Sequence, residues 1–188
     1  MESEQISTPQ IHFLGKIVGA QNFGKNEVYV KFSFKAGDQW SLLSGKAEGD
    51  TFQSKGEYQD VIPLEHPFDL QYKAESVRGW PKIFVEVWEL DDQHLFSSGR
   101  NSIAGYGMIG IPIQPGSYKL EIPCWRPRAD FYDKITGTYP ELVHKDILIS
   151  SDSRFGLRTE SSGDVIIEIQ VITKDFELQG VKIQPGDD

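Results

Sequence analysis

The sequence predicts an all-β domain, an antiparallel β-sandwich of eight strands. Three observations predict it. The 188 residues hold 18 Gly and 10 Pro against six Ala, a balance that denies helices their best former and supplies turn residues throughout. Apolar and polar residues alternate in short runs, the period of a half-buried strand. Those runs are rich in Val, Ile, Phe, Tyr and Trp and are bounded by Gly, Pro, Asn and Asp.

Taken in order, Ile11–Gly19 (IHFLGKIVG) is the first strand and Val28–Lys35 (VYVKFSFK) the second. In the second, Val28, Val30, Phe32 and Phe34 share one face, and Tyr29, Lys31 and Ser33 the other. Ala36-Gly37-Asp38 turns the chain into a third strand, Gln39–Leu43. Residues 44–59 are polar and read as a long loop before the strand Pro67–Ala74. Ile83–Leu90 (IFVEVWEL) is the strongest central strand, and residues 91–102 form a polar loop after it. Gly105–Ile113 follows, thinned by glycines that mark a bulge, and Pro115-Gly116 turns into Ser117–Ile122. Residues 124–146 read as irregular with a short helix, and Val165–Thr173 (VIIEIQVIT) closes the set.

Length and charge bound the function. One domain is expected, over residues 10–183, with loose tails at 1–9 and 184–188. The net charge is −9, which disfavours nucleic acid as a partner, because its phosphates would be repelled. The same charge weighs against docking on an anionic membrane. The single cysteine, Cys124, excludes an intrachain disulfide and a Cys-rich zinc site and fits a reducing, cytoplasmic setting. The opening residues MESEQISTPQ are acidic and polar, unlike a secretory leader.

No catalytic constellation stands out, and the reading is not an enzyme. The four histidines, His12, His66, His94 and His144, fall in no metalloprotease pattern, and no nucleophile elbow or phosphate loop is present. Glu86 and Glu168 lie in strands, where a glycosidase pair would need them to meet across a cleft; outward acids on a sandwich are far commoner. Cys124, between Pro123 and Trp125, has no activating base beside it and reads as a small buried residue. Trp88 reads as core. Trp80, in Arg78-Gly79-Trp80-Pro81, and Trp125, in Trp125-Arg126-Pro127, read first as rigid corners and second as partner contacts, with the Arg126 guanidinium near an indole.

Several segments carry a resemblance. They are Gly15-Lys16-Ile17-Val18-Gly19-Ala20, Trp40-Ser41-Leu42-Leu43-Ser44-Gly45 with Glu48-Gly49, and His66-Pro67-Phe68-Asp69-Leu70. They continue through Gly79-Trp80-Pro81, Val87-Trp88, Ala104-Gly105-Tyr106-Gly107, Pro115-Gly116 and Cys124-Trp125-Arg126-Pro127. Together these resemble the B9-domain family of the ciliary transition zone, a divergent branch of the C2-type sandwiches. That family has two short paralogues and a longer third member, and the likeness is to one of the short ones. The resemblance covers residues 10–183; the insertion at 91–101 and the polar segment 128–146 depart from it. It implies a non-enzymatic scaffold or adaptor of the B9 (Meckel syndrome) complex, at the basal body and cilium base. That subunit bridges its sister B9-domain proteins, supports cilium assembly and the ciliary gate, and stands beside membrane proteins such as tectonics. No cofactor is implied.

A calcium-binding C2 domain offers about five acids, mostly Asp, to a cation that wants 6–8 oxygens. Matched position by position, this sequence places Gln21 and Glu27 in the first loop, and Glu89, Asp91 and Ser102 in the second. Two neutral residues and two long Glu side chains in that set leave it vestigial, so no tight calcium site is expected; Asp92 could compensate in part. The alternative function is a C2-type membrane module with weak or no calcium dependence. Lys31 and Lys35 alternate on the outward face of the second strand, with Lys16 expected on a neighbouring one. Three lysines are worth ~3 kcal/mol at most on an anionic surface. For partner contact the candidates are Trp80, Trp125, Arg126 and Phe131.

Overall fold

Alternation decides which way each strand faces. In β2 (Glu27–Lys35), Val28, Val30, Phe32 and Phe34 are buried, while Tyr29, Lys31 and Ser33 are half-buried on the other side, as the pattern predicts. The structure, a computed structural model, describes residues 8–24, 27–56, 61–91, 100–130, 139–142 and 157–176. The other strands are β1 (Gln10–Gln21), β3 (Trp40–Gly45), β4 (Glu48–Asp50), β5 (Ser54–Lys55), β6 (Ile62–Ala74), β7 (Lys82–Asp91), β8 (Arg100–Gly110), β9 (Gly116–Pro127) and β10 (Thr159–Lys174). Among the described residues there is no helix.

The all-β expectation holds, with ten strands among the described residues in place of eight. The expected loop 44–59 contains β4 and β5, which are short and polar and pair only with β2. β9 continues to Pro127, so residues 124–127 are strand rather than irregular; the expected short helix falls largely outside the described residues. β6 begins at Ile62, ahead of the predicted start at Pro67. Pro63 and Pro67 both sit inside it, and the register against β1 slips between Ile17 and Gly19. β7 and β8 also run further into the 91–102 loop than expected, to Asp91 and from Arg100.

All pairings are antiparallel, in the order β3–β6–β1–β10–β9–β8–β7–β2–β4, with β5 also on β2. β9 pairs with β10 along nearly its whole length, but its pairing with β8 is confined to Tyr106↔Trp125 and Gly107↔Cys124. At that narrow seam the sheet folds over, and its halves face one another. Phe34 of β2 stacks on Phe13 of β1 with centroids 6.1 Å apart and tilts onto Phe68 of β6 at 5.1 Å. The Tyr72 hydroxyl donates to the Phe34 carbonyl across the same gap. Ile11, Ile17, Leu70, Ile83, Val85, Val87, Ile122 and Ile167 complete this apolar interior.

Two close approaches fix the ends of the motifs. The seam is tight because β8 has glycines there: a Cβ on Gly107 would stand 2.7 Å from Cys124 Sγ and 2.8 Å from Ile122 Cγ2. Gly79 adopts φ +70°, and its carbonyl accepts from the Gly37 N–H at 2.7 Å; a Cβ there would come within 2.5 Å of Gly37 Cα. That contact joins the turn before β3 to the corner before β7.

A second apolar cluster lies on the outer face of β7 and β8. Phe84, Ile103 and Tyr106 are buried there with Leu142, and Trp88, Met108, Trp125, Tyr139 and Leu157 pack around them. Trp88 therefore belongs to this outer cluster and is half-buried, not part of the central core, because it alternates with inward Val87. The Tyr106 hydroxyl accepts the Leu142 N–H at 3.1 Å, which fastens residues 139–142 over this face.

Candidate functional site

The end of β1, the start of β2, the end of β7 and the start of β8 lie at one end of the sandwich, because neighbouring strands run antiparallel. This is where the loop residues matched to the calcium positions fall. Gln21 is paired with Asp164 of β10, and Asn22 Nδ2 donates to Asp164 at 3.4 Å. Glu27 Oε1 accepts from Gln53 Nε2 at 3.0 Å. Glu89 ends the inward row Ile83, Val85, Val87 and is 2% exposed; Ser102 Oγ donates to its Oε1 at 3.3 Å. Glu89 thus faces the interior instead of the loop mouth. The backbone of Asp91 pairs with Arg100, while its side chain and Asp92 lie outside the described part. Among the described residues no three His, Cys, Asp or Glu side chains converge as a metal site.

The lysines do not form one surface. The sequence puts Lys16 on a neighbour of the second strand, but β1 lies between β6 and β10, and β2 lies in the opposite half of the fold. Lys16 Nζ is bound to Glu65 at 2.6 Å and near Glu168 at 3.7 Å, and these partners raise its pKa. Lys31 does face outward, with its ammonium 5.4 Å from the Trp88 ring, which itself stacks on Tyr29. Lys35 stands 5.5 Å from Phe84. Both lysines line a cleft of about 460 Å³ that also contains Glu48, Asp50 and Glu86, so its charge is mixed.

Trp80 is half-buried in an aromatic corner: its ring lies 5.2 Å from Trp40 and 6.1 Å from Phe176, and its Nε1–H donates to the Ile111 carbonyl at 3.0 Å. Trp40 Nε1–H donates to the Arg78 carbonyl in the same corner. Trp125 packs on Tyr106 at 5.9 Å. Arg126 stacks on a phenol rather than the expected indole: its guanidinium lies 3.8 Å from the Tyr139 ring, and Nε donates to Glu160 at 2.8 Å. Phe131 lies outside the described residues. Cys124 is buried, as its neighbours in sequence suggest, and burial pushes its thiol up to about 12.

Sequence reading missed the covered outer face. The available signal was the run IFVEVW, apolar on both alternating faces, which requires cover on both sides of β7. It also did not single out the charge-free edge strand β3.

Comparison with known proteins fits this geometry. A family model described as "Ciliary basal body-associated, B9 protein" matches residues 11–172, from the first core residue of β1 to near the end of β10. The chain is similar to B9 domain-containing protein 2 of Homo sapiens, 32% identical over 177 residues that span 92% of this chain and 98% of the relative. The Danio rerio protein of the same name is 34% identical over the same spans. B9 domain-containing protein 1 of Mus musculus is 28% identical, over 96% of this chain and 91% of that one. With nearly the whole sandwich matched and full-length relatives at this identity, the chain belongs to the B9 family of ciliary basal body-associated proteins.

Proposed function

We propose that the chain is a non-enzymatic scaffold subunit of the B9 assembly at the cilium base, bridging sister B9-domain proteins beside membrane proteins such as tectonics. The observation that carries the reading is the family match across nearly the entire sandwich. The geometry supports it in two further ways. Glu27 and Glu89, two of the three acids at the matched calcium positions, are engaged by Gln53 and Ser102. Lys16 is held by carboxylates on one face and Lys31 and Lys35 share a mixed-charge cleft on another, an arrangement poorly suited to an anionic membrane.

Co-expression with B9 domain-containing protein 1 from the same organism, followed by size-exclusion chromatography, tests the proposal. The two chains are expected to elute together at their summed mass. Separate elution in that pairing and in the pairing with the longer third family member contradicts it.

A further inference from the structure

In a chain of net charge −9, one spot on the surface gathers positive charge. β9 and β10 pair as Arg126↔Glu160 and Pro127↔Thr159, and the Arg128 N–H donates to the Arg158 carbonyl at 2.9 Å. That bond carries the register one pair further and sets Arg128 opposite Arg158. Opposed residues of an antiparallel pair stand on one face with their Cβ atoms about 5 Å apart, and like charges so placed repel. Alternation makes this face the outer one: Pro127 and Ala129 are buried, while Arg128 and Arg158 are exposed. Arg126 is engaged, by Glu160 at 2.8 Å and by the Tyr139 ring. Among the described residues Arg128 and Arg158 have no ion-pair partner. Their repulsion is therefore not offset by an acid of the described fold.

We infer that Arg128 and Arg158 form a binding site for a phosphorylated serine or threonine of a partner polypeptide. Charge and shape select the group. One guanidinium fork fills a carboxylate, whereas a phosphate monoester offers three terminal oxygens and close to two charges, enough for two forks. The surroundings select a single group over an extended anionic surface. The cationic spot is two residues wide, between the Arg126–Glu160 pair and the exposed Asp130, on a chain that is acidic as a whole. A membrane or a nucleic acid would meet those acids as well. Both arginines are exposed, so a free phosphate has only these two contacts to gain, while a peptide adds its flanking chain.

The test is a titration of the full chain into a fluorescent peptide carrying one phosphoserine among glycines and alanines, read by anisotropy. That peptide is expected to bind at least tenfold more tightly than its unphosphorylated form. The double variant Arg128→Gln, Arg158→Gln is expected to bind it at least tenfold more weakly. Lys31→Gln, Lys35→Gln, in the cleft on β2, is expected to bind it normally. If the arginine variant fails to fold, amide shifts in the unmodified chain decide: shifts centred on residues 126–128 and 158–160 support the site, and shifts centred elsewhere overturn it. Equal binding of the two peptides, or binding of neither, overturns it as well. Inorganic phosphate that binds as tightly as the phosphopeptide overturns the choice of a polypeptide. Vesicles containing phosphatidylinositol phosphates that bind where the phosphopeptide does not overturn it too. The probe is a peptide and not a sister domain, so each of these results leaves the assembly reading to its own test.

Discussion

Cys124 shows how one residue records the packing around it. It sits at the seam where β9, still paired with β10, also meets β8, buried among Gly105, Gly107 and Ile122, and its Sγ–H donates to the Ile122 carbonyl. Burial raises its pKa from 9.0 to about 12, so the folded state keeps the proton that the unfolded chain releases. The sign follows: the contribution is complete below pH 9 and is lost as pH rises toward 12, at about 1.4 kcal/mol per pH unit. Tyr72 and Tyr106, both raised by burial from 10.0, add to the same alkaline loss. Urea midpoints from pH 8 to 11 should therefore fall, and Cys124→Ala should flatten the limb that begins near pH 9. A thiol reagent at pH 8 should label Cys124 only after unfolding. Rapid labelling of the native chain would show the seam to be open.

Among the elements, pinned corners hold the strands in place. Trp80→Ala removes a half-buried indole that Trp40 and Phe176 pack against and breaks the bond to Ile111. A loss of roughly 2–3 kcal/mol is expected in chemical denaturation, below the range for a fully buried Trp. On the outer face, Arg126→Ala removes the bond to Glu160 and the stacking on Tyr139, expected to cost about 2 kcal/mol. A loss under about 0.5 kcal/mol, the size of an ordinary surface change, would mean that residues 139–142 are not fastened there. Strands with strong alternation were legible in the sequence: β2 and the middles of β1 and β10 need only period two, and β7 shows as a β-branched and aromatic run. β4 and β5 were not, because residues 48–55 carry no apolar alternation and become strands only when β2 is beside them. The prolines of β6 and β9 hid the strand ends, since a proline on its own reads as a break. Placing Lys16 beside Lys31 failed for a different reason. Neighbours in sequence are not neighbours in this sheet, where the N-terminal strand β1 pairs with β10 from the other end of the chain, Gln21 opposite Asp164.

In the molecule as a whole, the acids matched to the calcium positions do not converge: Glu27 bonds to Gln53 near the surface and Glu89 to Ser102 in the interior. Calcium at about 1 mM should leave the melting temperature unchanged within about 1 °C, because Glu27 and Glu89 are engaged within the protein. A micromolar site would stabilise the fold by about 4 kcal/mol at that concentration, a shift of several degrees that a melting curve resolves. Vesicles rich in phosphatidylserine should leave the chain behind in flotation at moderate salt, given its charge of −9. The sandwich and its family were legible from motifs such as Gly79-Trp80-Pro81, whose geometry is local. The partner surface was not, because a sheet edge pairs through its backbone and leaves little trace in side-chain type. Whether the chain bridges its sisters is decided by a three-way reconstitution: B9 domain-containing protein 1 and the longer third family member, mixed with and without this chain and resolved by size and mass. One complex containing all three is expected when the chain is present, and separate sisters when it is omitted. Sisters that join equally well without it, while it elutes alone, would contradict the bridging role.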